Sequence, residues 1–158
     1  MNKLILIASQ LVVLCVISAA SVAEAKVKVV RQIIDVNAST PADAFRFDPK
    51  LLFLEKGETV QIVGSTGRHT VSSIKGMLPE GARAFEIRGK AKVERSFDVE
   101  GVYGIRCRVH GKHGMVMLVV VGDPAVNWQD AWDRLPKLKP SERVQFAPLM
   151  QQVKPKGL

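Results

Sequence analysis

From residue 26 to residue 122, apolar and polar positions alternate in short runs separated by turn residues. Val27, Val29, Ile33 and Val36 predict a first strand. The runs 44–47 and 51–54 follow, divided by the turn pair Asp48-Pro49. Lys56-Gly57 leads into 59–63, which has period 2, and 64–67 reads as a turn. Segments 93–99, 103–107 and 115–121 complete a series of seven or eight strands. Strands do not alternate with helical periods, so a parallel βαβ sheet is not expected. The pattern predicts an all-β, antiparallel sandwich.

The period changes after Gly122. Asn127 is placed to cap a short helix carrying Trp128, Trp132 and Leu135 at i, i+4 and i+7. Pro136 and Pro140 break that helix, and Ser141 starts another, which Pro148 is expected to end or kink. Residues 123–158 thus read as a helical tail packed on the sandwich of residues 26–122, with both Trp residues as packing anchors.

The other end reads differently again. Lys3, an apolar run over 4–20 and the small-x-small triplet Ala23-Glu24-Ala25 describe a secretory signal peptide, residues 1–25, cleaved before Lys26. An uncleaved anchor is the alternative, since the run is near the lower limit for spanning a bilayer. Leu14, before Cys15, is too large for a lipoprotein signal. With the leader removed, no membrane insertion is expected.

Composition adds constraints. The chain of 158 residues is 47% hydrophobic and 24% charged, which suits one globular domain. It has 23 Lys plus Arg against 15 Asp plus Glu, a net charge of +8 that favours an anionic partner. Nucleic acid is not expected as that partner, for there is one Tyr and no stacking motif. Of two cysteines, Cys15 leaves with the leader and Cys107 remains alone. A disulfide framework or a four-cysteine zinc site is therefore excluded.

The neighbours of Cys107 carry the chemistry. Residues 103–121 contain Cys107, His110 and Met115, a Cys-x2-His-x4-Met hairpin between two predicted strands. A thiolate, an imidazole and a thioether together suit copper, and structural zinc sites rarely use Met. A trigonal His2Cys site with a weak axial Met needs a second His. His69, upstream at a turn-to-strand junction, can meet the hairpin across a sandwich. Met117 is the rival axial donor and His113, in a Gly-flanked loop tip, the rival equatorial one. No second metal cluster, Ser-His-Asp order or second Cys near Cys107 is present, so an enzyme is not expected.

At these residues the chain resembles the cupredoxins (type 1 blue copper proteins), and among them the pseudoazurins. The similarity extends over AFRFDPKLLFLEKGETVQIV, RHTVSSIKGMLPEGARAF and GVYGIRCRVHGKHGMVMLVVVGD, from about Ala44 to Met150. It implies a Greek-key sandwich holding one Cu(I)/Cu(II) ion through His69, Cys107, His110 and Met115. It further implies a monomeric periplasmic carrier of single electrons, with His110 as the port. Its partner would be an acidic redox protein: a nitrite reductase, a peroxidase or a c-type cytochrome. Copper delivery without electron transfer is the alternative function. Arg68, Lys75, Arg108, Val109 and Lys112 are the expected docking residues around the port.

Two departures from the family pattern carry expectations. Thr70 stands where the family has Asn, whose side chain ties the two ligand segments, so a looser site is expected. Arg108-Val109 replaces Thr-Pro between Cys and His. An N–H at Val109 reaching the Cys107 sulfur, and a cation at Arg108, would raise the potential.

Overall fold

The computed structural model describes residues 27–64, 68–89 and 91–157. The expected leader, residues 1–25, lies outside the described residues. Among the described residues, nine strands form two sheets. They are β1 (Lys28–Ile34), β2 (Phe45–Asp48), β3 (Leu51–Leu54), β4 (Thr59–Val63), β5 (Thr70–Ser73), β6 (Glu86–Arg88), β7 (Lys92–Ser96), β8 (Gly101–Arg106) and β9 (Val116–Val121). One sheet has the order β2-β1-β4-β7 and the other β3-β9-β8-β5-β6.

The sandwich is not wholly antiparallel, as the alternation suggested. β1 runs parallel to β4, with Val30 opposite Ile62, and β3 runs parallel to β9, with Leu52 opposite Val119. Period 2 tells which face a side chain takes but not which strand lies beside it. The turn at Asp48-Pro49, whose peptide bond is cis, carries the chain from β2 in one sheet to β3 in the other.

β9 shows why its sequence is a continuous apolar run. Met117, Val119 and Val121 face the core between the sheets, while Val116, Leu118 and Val120 face the C-terminal helices. All six are buried, as strands covered on both faces must be. Each such side chain contributes roughly 1.5–3 kcal/mol of burial free energy. The covering layer is helix α2 (Trp128–Arg134), a 3-10 turn over Leu135–Lys137, and helix α3 (Pro140–Gln152). A shorter helix, α1 (Pro41–Ala44), precedes β2 and is capped by the Thr40 hydroxyl.

Three details of the tail differ from the sequence reading. Asn127 precedes α2 without capping it through its side chain. That side chain instead accepts from the Val102 N–H (2.6 Å) and donates to the Val102 carbonyl (2.9 Å). α3 begins at Pro140, a favoured first-turn position for proline. It also runs through Pro148. The carbonyl that Pro148 cannot serve belongs to Val144, an exposed residue. Trp128 and Trp132 stack at 5.2 Å, and the Trp128 indole donates to the Met150 carbonyl, fastening α2 to α3.

Candidate metal centre

β8 lies between β9 and β5, and this order assembles the site. Cys107 follows the last residue of β8, Met115 precedes the first of β9, and His69 precedes the first of β5. All three therefore stand at one end of the same sheet. The β5–β8 register pairs Ser72 with Arg106. Continued by two residues, it sets Thr70 across from Arg108.

The hairpin is held by its own backbone. Cys107 N–H donates to the Met115 carbonyl (3.0 Å), Met115 N–H to the His110 carbonyl (3.3 Å) and Gly111 N–H to the Cys107 carbonyl (2.7 Å). A 3-10 turn over Gly111–His113 ends at Gly114, whose φ of +87° requires a residue without Cβ strain.

His69, Cys107 and His110 converge. Their donor atoms all lie within 4.8 Å of one another. The Cys107 sulfur is 3.9 Å from His69 Nδ1 and 3.7 Å from His110 Nδ1. Cys107 and Met115 are fully buried, His69 is 6% exposed and His110 is half-buried. Burial, followed by the charges of His69, His113 and Lys112, pushes the His110 imidazole below its usual pKa. It is thus held neutral near pH 7, with a lone pair available to a metal. A buried thiol with two imidazoles is a donor set that fits copper.

Thr70 itself supplies a bridge of the kind whose loss was expected to loosen the site. Its hydroxyl accepts from the Arg108 N–H (2.8 Å) and from the Ser72 hydroxyl (3.2 Å), so it bridges the two ligand segments. Its own N–H donates to the Cys107 sulfur at 3.4 Å. Among the described residues the sulfur's backbone donor is thus Thr70, and Val109 N–H does not reach it. The Arg108 cation is offset as well, by an ion pair with Glu86 at 2.8 Å.

The rival donors take other places. Met117 points into the core from β9. His113 lies outside the converging group and stacks on Phe45 at 5.1 Å. Phe45 also stacks on His110, at 4.4 Å and 11° between planes. Alternation in β2 puts Phe45 on the face of buried Phe47, which was a usable signal, but not one that pointed to His110.

A further residue escaped the sequence reading. Glu142, 1% exposed on α3, accepts from Arg106 through both oxygens at 3.3 Å. It also lies so close to Gly111 that a Cβ there would meet its oxygen at 2.6 Å. Ser141 adds a hydrogen bond to the Gly111 carbonyl (3.0 Å). The C-terminal helix thereby grips the hairpin beside both Cys107 and His110.

The expected docking residues divide. Arg68, Arg108 and Val109 line one cavity beside His69. Lys112 faces a separate groove with His113 and Ser141. Lys75 lies past the far end of β5, in the turn whose Gly76 meets Arg134, away from both.

Comparison with known proteins agrees with this geometry. Residues 34–122 match the profile of copper binding proteins of the plastocyanin/azurin family. The chain is 40% identical over 93 residues to pseudoazurin of Methylorubrum extorquens, covering 59% of this chain and 63% of that protein. It is 36% identical over 88 residues to pseudoazurin of Paracoccus pantotrophus, covering 53% and 58%. The chain thus spans less than two thirds of these relatives' length. The solved pseudoazurin of Methylobacterium extorquens AM1 superimposes with a TM-score of 0.68 at 32% identity, over 80% of this chain and 98% of that one. A pseudoazurin structure from Sinorhizobium, 23% identical with a TM-score of 0.66, shares the fold.

Proposed function

Because this chain belongs to the copper-binding plastocyanin/azurin family, we propose that it is an electron carrier and not an enzyme. In this reading it holds one copper through His69, Cys107, His110 and Met115. The observation that carries the proposal is the convergence of one buried thiol and two imidazoles within 4.8 Å. Copper in such a set supplies a one-electron couple.

The protein's own work is to keep the donors still. The β5–β8 register, the hairpin hydrogen bonds and the Thr70 bridge fix His69, Cys107 and His110 before any ion arrives. Thr70 N–H stabilises negative charge on the Cys107 sulfur. Full burial of Cys107 and Met115 keeps water from the sulfurs. His110, half-buried and nearest to solvent of the three converging residues, is the port.

Arg68, Arg108 and Lys112 around that port supply positive charge that draws an acidic redox protein and weakens with salt. The leader-like residues 1–25 support a periplasmic place of work. Stopped-flow mixing of the reduced protein with an acidic c-type cytochrome tests the function. Second-order electron transfer that slows as salt rises is expected. Transfer absent at every ionic strength would contradict it.

A further inference from the structure

The fold buries a carboxylate where packing does not call for one. Glu142 is 1% exposed on α3, yet Phe146, Leu149 and Met150 already anchor that helix in the apolar layer behind β9. A carboxylate withdrawn from water is costly, and its ion pair often repays no more than an apolar side chain would. Ile105 and Cys107 face the core between the sheets, so Arg106, between them, faces the helical layer. There both Glu142 oxygens meet Arg106 Nη1 at 3.3 Å. One of the same oxygens stands 2.6 Å from where a Cβ would lie on Gly111. The carboxylate is thus fixed against the residue before Cys107 and the residue after His110. A cavity of about 140 Å³ opens there, lined by Arg106, Arg108, Lys139 and Glu142. Glu142 is the one acid in that lining, and Arg108 is already paired with Glu86.

We propose that Glu142 sets the reduction potential: its buried carboxylate, held against the Cys107–His110 hairpin by Arg106, keeps the copper centre's potential below the value that the neighbouring cations would give it. The inference rests on the electron-carrier reading. Reduction adds one electron, supplied by the redox partner, to a copper–thiolate centre that falls from one net positive charge to none. A fixed anion nearby stabilises the more positive, oxidised state, and the Arg106 cation opposes it. Burial spares this anion the screening that an exposed acid meets. Glu142 acts through its field, not as a ligand.

The test equilibrates copper-loaded protein with a fixed ferricyanide–ferrocyanide ratio at constant pH and reads the reduced-to-oxidised ratio from the visible copper band. Glu142→Gln keeps the shape, removes the charge and should raise the ratio roughly fivefold or more. Adding Arg106→Gln removes the cation as well and should bring the ratio back to within about twofold of the unaltered protein. Asp130→Asn removes an exposed charge on α2 and should change the ratio by less than about twofold. A Glu142→Gln ratio within about twofold of the unaltered protein, or a double variant shifted as far as the single one, overturns the inference and leaves Glu142 a packing residue. If Glu142→Gln does not fold, Arg106→Gln alone decides: it should lower the ratio, and an unchanged or raised ratio overturns the inference. Unaltered protein without a copper band contradicts the carrier reading, whereas an intact band with unshifted ratios contradicts this inference alone.

Discussion

The hydroxyl of Thr70 accepts the backbone N–H of Arg108 at 2.8 Å and so joins the segment that carries His69 to the hairpin that carries Cys107 and His110. The same residue's N–H reaches the Cys107 sulfur. One threonine therefore braces the site and stabilises thiolate charge. Thr70→Val keeps shape and the backbone donor but removes the bridge. We expect a loss of about 1–2 kcal/mol in denaturant unfolding, from a part-buried N–H left unpaired. Thr70→Ser should restore most of it. An unchanged Thr70→Val variant would show that the bridge holds nothing.

Glu142 and Gly111 are coupled by contact. A Cβ at Gly111 would stand 2.6 Å from a Glu142 oxygen, so Gly111→Ala must displace the Glu142–Arg106 pair. Gly111→Ala is expected to cost about 1–3 kcal/mol. In a Glu142→Ala background its cost should fall by about 1 kcal/mol or more, because the clash is gone. Additive effects across that double-mutant cycle would contradict the contact.

Phe45 lies against both His110 and His113. The Phe45–His113 stack is expected to contribute about 0.5–1.5 kcal/mol beyond area burial. A cycle of Phe45→Leu and His113→Ala measures it, and a coupling energy near zero would refute the stack.

Tyr103 is expected to contribute to the loss of stability at alkaline pH. It is the only tyrosine in the chain, 3% exposed, and donates to the Val99 carbonyl at 2.6 Å. Burial, partly countered by the hydrogen bond to Val99 and by the Arg95 charge, raises its pKa above 10.0. With the folded value above the unfolded one, its contribution is complete below about pH 10 and is lost as pH climbs through the folded value. Tyrosinate absorbance should show a higher midpoint in folded than in denatured protein. Tyr103→Phe should flatten the fall in stability over that range. Coincident midpoints would contradict the burial argument.

What could be read before the structure, and what could not, divides along physical lines. Cys107 and His110 share one hairpin, so their proximity is local and the chemistry of the donors names the partner residue type. Joining His69 to them needed only a sandwich that brings its strand ends together. The parallel pairings of β1 with β4 and β3 with β9 were hidden, because alternation is blind to strand neighbours. β6 is three residues long and too short to show a period. Glu142 reads as an ordinary solvated helix residue, since its burial depends on Arg106, 36 positions away. The Thr70 bridge was misjudged for a similar reason. A shorter side chain than Asn still spans the gap when the strands hold Thr70 across from Arg108.

The proposal that His69, Cys107, His110 and Met115 form one copper site is tested most directly by titrating the protein with Cu(II) while recording visible absorption. Saturation at one ion per chain, with an intense blue or green band that bleaches on reduction and is missing from Cys107→Ser, is the predicted result. No such band, or one that persists in Cys107→Ser, would contradict it.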